Sequence, residues 1–78
     1  MKDVKFFSAK WCGPCKQMTP HIQSLNSEGY NIQMIDVDDN GTLAESHNVR
    51  GVPTLVVNGN SLVGYRDKNQ IKQAIDEV

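Results

Sequence analysis

Both cysteines of this 78-residue chain lie in the run Trp11-Cys12-Gly13-Pro14-Cys15-Lys16, two residues apart. A thiol pair at this spacing can trade electrons with a disulfide or supply half of a zinc site. A bridge between them would close a very small loop, and chain entropy gives little stabilisation for loops that short. The pair is therefore poorly placed as a staple and well placed for chemistry. Zinc would need two further ligands, and His21 and His47 are the histidines available. Their distances from Cys15 along the chain are not those of a zinc finger. A metal or iron–sulfur carrier using Cys12 and Cys15 stays open at this point. So does a non-catalytic binding module in which the thiols are incidental.

The residues around the motif say how it is held. Val4-Lys5-Phe6-Phe7-Ser8 is β-prone and runs straight into it. After it, Cys15, Met18, Ile22 and Leu25 recur at three- and four-residue steps, the apolar stripe of an amphipathic helix. Gly29 is the expected stop, and Pro20 the expected kink. The stripe puts Cys15 on the core-facing row and Cys12 one turn earlier, at an exposed helix start. Unpaired N–H groups and the helix dipole favour an anion there, so the Cys12 thiol is expected below the free value of about 8.5. Lys10 and Lys16 add positive charge. Cys15, shielded, acts second: Cys12 attacks a disulfide, and Cys15 then attacks Cys12 to release the reduced partner. Gly13 and Pro14 form the tight entry to the helix, where a missing N–H costs nothing.

A second strand is predicted over 32–37, which closes a βαβ unit with a right-handed crossover. Asp38-Asp39-Asn40-Gly41 is turn chemistry. It leads to a short helix through Leu43, Ala44 and His47, with Thr42 and Glu45 at capping-box spacing. Strands follow over 54–57 and 61–64, joined by Asn58-Gly59, the strongest short hairpin signal. Asp67 then caps a last helix, with Gln70 three residues on and Ile71, Ala74, Ile75 and Val78 as its stripe. The reading is α/β: one domain over 1–78, βαβ-α-ββ-α, with a four-stranded mixed sheet flanked by helices.

Bulk properties narrow the partners. The net charge of −1 comes with both signs scattered, so no basic run argues for nucleic acid. The first seven residues, Met1 to Phe7, hold no signal-peptide apolar stretch, and nothing elsewhere is long enough to span a membrane. Two cysteines at this spacing fit a reduced cytoplasmic setting, and a monomer is expected. No glycine-rich phosphate loop is present, so no nicotinamide or flavin is expected to be bound.

The motif run resembles the active-site signature of the thioredoxin superfamily. Pro20 falls where thioredoxins carry a helix proline, and Gly51-Val52-Pro53-Thr54 is similar to their second signature, whose proline is cis. Val63-Gly64 resembles the glycine-containing loop that completes the substrate surface. The resemblance implies a dithiol–disulfide oxidoreductase with Cys12 as nucleophile, Cys15 as resolving thiol and Pro53 as the cis-proline. It implies that Trp11, Gly13, Pro14, Val52 and Gly64 bind substrate, with the Val52 backbone pairing as an added strand would. Reducing equivalents would come from NADPH through a thioredoxin reductase, or from glutathione. Ribonucleotide reductase is a client by family analogy.

Departures accompany the resemblance. The sequence starts directly at the strand before the cysteines, so its size and element order look like a glutaredoxin, as in short thioredoxins of phages and archaea. Thioredoxins carry a buried acid where this chain has Phe6, and a lysine where it has Met34. Phe6 and Met34 are expected as a plain core pair. Proton transfer for Cys15 must then use water, a substrate group or another residue. A weaker pH dependence from any buried carboxylate follows; a kinetic pKa that vanished on mutating Asp36 or Asp38 would contradict it. On the glutaredoxin side, Gly51 and Gly64-Tyr65-Arg66-Asp67 fit the glutathione pattern only partly, with Arg66 or Lys10 as candidate partners for a glutathione carboxylate.

Overall fold

The computed structural model describes residues 3–77. Met1, Lys2 and Val78, which enter the N-terminal reading and the last helical stripe, lie outside them. The order is β1 (Val4–Ser8), α1 (Gly13–Ser27), β2 (Gln33–Asp36), α2 (Gly41–Ser46), β3 (Thr54–Val57), β4 (Asn60–Val63) and α3 (Lys68–Asp76). The sheet runs β2-β1-β3-β4, parallel between β1 and β2 and antiparallel elsewhere. This is the expected mixed four-stranded sheet.

Period-two alternation sorts the core onto two faces. Val4, Phe6, Leu55 and Val57 pack with Met18, Ile22 and Leu25 of α1 and Ile71 and Ile75 of α3. Phe7, Ile35 and Val56 face the other way, under Ala44 of α2. Helices cover both faces, so the central strand β3 is buried along its whole length, as the apolar run Leu55-Val56-Val57 requires.

Element ends follow local chemistry. α1 runs through Pro20 without a break. It closes on Gly29, at φ +99°, with Gly29 N–H donating to Asn26 O and Tyr30 N–H to Leu25 O. That is a Schellman closure, and the left-handed conformation suits glycine. Asn58 and Gly59 both take positive φ, 50° and 87°. They make the two-residue hairpin that pairs Val57 with Asn60, so β4 begins one residue before the predicted strand. α3 starts with the expected capping box, Asp67 accepting from Gln70 N–H and the Gln70 side chain accepting from Asp67 N–H. Replacing Asp67 by Ala should cost about 1 kcal/mol, or about 4–8 °C in Tm for a domain of this size. An unchanged thermal midpoint would show that the box contributes nothing. α1 and α3 are tied at their ends by Lys68 to Glu28 and by the Tyr30 hydroxyl donating to Asp76. Lys68 holds the Glu28 carboxyl below its ordinary value, chiefly by hydrogen bonding. That contribution is present above the ordinary carboxylate range and fades as pH falls through the lowered value; at an exposed pair it is small.

Two expectations are corrected here. The capping box of α2 does not form: the helix begins at Gly41, with Asn40 as N-cap and no side-chain cap bond. Thr42 therefore sits inside the first turn, and the Asn40 amide is occupied with the carbonyl of Asp36. Nor are Phe6 and Met34 a core pair. They are partners in the β1–β2 register, but Phe6 is fully buried and Met34 is 43% exposed. Met34 lies on the edge strand, with no further strand beyond it among the described residues.

Candidate active site

β1 delivers the chain to the motif, and a turn closed by Cys12 N–H donating to Ala9 O hands it to α1. Cys12 is the N-cap: its backbone is extended and its Sγ accepts the Cys15 N–H at 3.2 Å. Pro14 occupies the first turn, where its lack of an N–H leaves no carbonyl unserved. Cys12 and Cys15 are joined by a disulfide with their Cα atoms 5.2 Å apart. The expectation of an exposed Cys12 is corrected: it is 5% exposed, and Cys15 2%. The Cys12 sulfur turns inward to bond Cys15 and cap the helix, so it joins the core cluster instead of facing solvent. An amide donor and the positive end of α1 meet at this sulfur, an arrangement that favours negative charge on it.

The second segment comes from the other side of the sheet's end. The Val52–Pro53 peptide is cis. Pro53 is buried and its carbonyl accepts Gly64 N–H at 2.9 Å, which brings Gly64, at φ +104°, alongside. Val52 is half-buried and packs on the cluster that holds both cysteines. Its backbone has no hydrogen-bond partner among the described residues. Trp11 and Val52 line one groove of about 140 Å³ with Val49 and Arg50. Trp11 is 69% exposed, and Gly13 and Pro14 are exposed beside it.

Other candidate residues lie elsewhere. His21 meets the Tyr65 hydroxyl at 3.1 Å, and His47 rests against the ring of Phe7. No three of the described His, Cys, Asp and Glu residues converge as metal ligands. Arg66 Nη1 donates to the carbonyls of Val63 and Gly64. Sequence reasoning missed one contact: the Trp11 indole N–H donates to Asp38 Oδ2 at 3.0 Å. The two residues are 27 apart, and the turn composition around Asp38 carried no signal of it.

The comparisons with known proteins agree with this geometry. A family model described as thioredoxin matches residues 4–77. The chain belongs to the thioredoxin family. A thioredoxin of Chlamydia pneumoniae is 37% identical over 81 residues, covering 95% of this chain and 78% of that one. Among solved structures, a mutant thioredoxin from Halobacterium salinarum superposes with a TM-score of 0.84 at 37% identity. It covers 97% of this chain and 73% of that one. Fasciola hepatica thioredoxin gives 0.86 at 28% identity, over 97% and 79%. The chain is a dithiol–disulfide oxidoreductase with a thioredoxin fold and a Cys12–Cys15 pair. Thioredoxins normally work without a resident cofactor, together with a reductase and disulfide-containing clients. No helix among the described residues is long and apolar enough to cross a membrane.

Proposed function

We propose that this thioredoxin reduces protein disulfides with Cys12 as the attacking sulfur and Cys15 as the resolving one. The observation that carries the assignment is the N-cap: Cys12 Sγ, not Cys15 Sγ, receives an amide N–H at the positive end of α1. The client docks as an extended segment on Trp11, Gly13, Pro14, Val52 and Gly64. The unpaired backbone of Val52 supplies main-chain hydrogen bonds, which give affinity without demanding a sequence. Asp38 holds the Trp11 ring at the edge of that surface.

Exchange then runs in two steps. The Cys12 thiolate attacks one client sulfur, forming a mixed disulfide and expelling the other sulfur. Cys15 attacks Cys12 Sγ, which closes the bridge seen here and frees the reduced client. NADPH recharges the pair through a separate thioredoxin reductase, in the cytoplasm, and ribonucleotide reductase is a client.

The donor is tested by following insulin disulfide cleavage with NADPH and thioredoxin reductase, beside NADPH, glutathione and glutathione reductase. Turnover is expected with the first system alone. Turnover confined to glutathione would overturn the donor assignment.

A further inference from the structure

The second exchange step has a requirement that the two sulfurs do not meet. A thiol is a poor nucleophile, so the Cys15 proton must leave as Cys15 attacks. Cys15 is 2% exposed, and β1 presents Phe6 on the same side of the sheet, a side chain that accepts no proton. One carboxylate has access to the same space. A cleft of about 280 Å³ is lined by Cys15, Lys16 and Thr19 of α1, by Ser8 and Lys10, and by Asp36.

Strand periodicity explains how Asp36 comes to be there. Ser8 and Asp36 are register partners at the ends of β1 and β2, as Phe6 and Met34 are two residues earlier. A two-residue step along a strand keeps the face. An acid at Asp36 therefore lies on the α1 side of the sheet, nearer the end where the motif begins. Asp36 is half-buried. Its Oδ1 accepts Asp38 N–H at 2.8 Å, and its Oδ2 has no partner among the described residues. Thr19 Oγ1 is occupied with the carbonyl of Cys15, which leaves the carboxylate as the base in the cleft. Lys10 and Lys16 also line the cleft. Asp38 is two residues away, but its Oδ2 holds Trp11 and it does not line the cleft.

Resting on the assignment of Cys12 as nucleophile and Cys15 as resolving thiol, we propose that Asp36 takes up the Cys15 proton through water in this cleft. In that step the Cys12–Cys15 S–S bond forms and the bond from Cys12 to the client sulfur breaks. The client sulfur leaves with the electron pair, and the Cys15 proton passes to the Asp36 carboxylate and on to solvent. When the pair is reduced again, Asp36 returns the proton to Cys15. A cleft of this size holds several waters, each needing two or more polar partners, and Asp36, Ser8 and the lysines provide them. This departs from the weak pH dependence expected from the sequence: the acid has moved to the neighbouring strand.

The test is stopped-flow mixing of the reduced protein with 5,5′-dithiobis(2-nitrobenzoate). The first thionitrobenzoate is released by Cys12 at a rate set by reagent concentration, and the second by Cys15 at a rate independent of it. Asp36→Asn keeps an oxygen for the Asp38 N–H and should leave the first phase unchanged. Its second phase should be about a hundredfold slower at neutral pH, the low end of general-base effects. The deficit should close at alkaline pH, where Cys15 ionises unaided. Asp36→Glu should recover part of the rate, and Asp39→Asn, an equal charge change outside the cleft, should behave as wild type. An unchanged second phase in Asp36→Asn would overturn the proposal. So would equal slowing at every pH, slowing of both phases together, or the same loss in Asp39→Asn. Failure of the underlying assignment is distinct: the concentration-dependent first phase would survive in Cys12→Ser and be lost in Cys15→Ser.

Discussion

Cys12→Ser is expected to lower insulin-disulfide cleavage to the uncatalysed background, while Cys15→Ser should deliver one attack per molecule and then stall. The asymmetry follows from placement. Cys12 Sγ caps α1 and takes the Cys15 amide, whereas Cys15 lies on the buried row with Met18, Ile22 and Leu25. A serine at 12 keeps an N-cap oxygen, so the helix start survives, but a hydroxyl does not attack a disulfide under these conditions. A serine at 15 leaves the first attack intact and removes the sulfur that completes the exchange. Circular dichroism should show both variants folded. Steady turnover by Cys15→Ser, or residual turnover by Cys12→Ser above background, would reverse or dissolve the assignment.

The second large effect concerns the position where other thioredoxins hold their acid. Phe6 is fully buried among Val4, Leu55 and the helix residues above them. Phe6→Asp removes a ring whose truncation alone costs about 3–5 kcal/mol, and it adds a carboxyl with no buried cation to meet it. A Tm loss of more than about 12 °C, at roughly 4 °C per kcal/mol, or outright failure to fold, is the expected result. Met34→Lys, at an exposed position on the edge strand, should stay within about 0.5 kcal/mol of wild type. Met34→Lys should not rescue Phe6→Asp, because the lysine head would remain in water. Urea melts of the two single variants and the double variant check this. A stable Phe6→Asp protein, or rescue in the double, would mean that this core accepts the acid–lysine pair after all.

Much of this architecture is legible in the residues. The helical stripe from Cys15 to Leu25, the Asn58-Gly59 hairpin and the Asp67–Gln70 box each carry local chemistry strong enough to decide the element. The pairing of Gly51-Val52-Pro53-Thr54 with the cysteine motif came from the resemblance, and the fold brings Val52 onto the cluster that holds both sulfurs. What the residues hid depends on tertiary position. Met34 reads as core, but at a sheet edge it is left 43% exposed. Cys12 reads as exposed from helix phase alone, whereas bonding to Cys15 draws its sulfur inward. Thr42 and Glu45 have capping-box spacing, yet the chain enters the helix before Thr42. The bond from Trp11 to Asp38 and the cleft shared by Cys15 and Asp36 join residues more than twenty positions apart. Both depend on which distant strands and turns the fold sets side by side, which a linear reading does not give.

The central claim is that Cys12 carries the covalent intermediate, and the most direct measurement is the mass and peptide map of the Cys15→Ser variant after reaction with a disulfide-bonded client peptide. A single adduct of one half-peptide, mapped to Cys12 and released by dithiothreitol, is the predicted result. No adduct on Cys12 under conditions where Cys12→Ser forms one on Cys15 would contradict it.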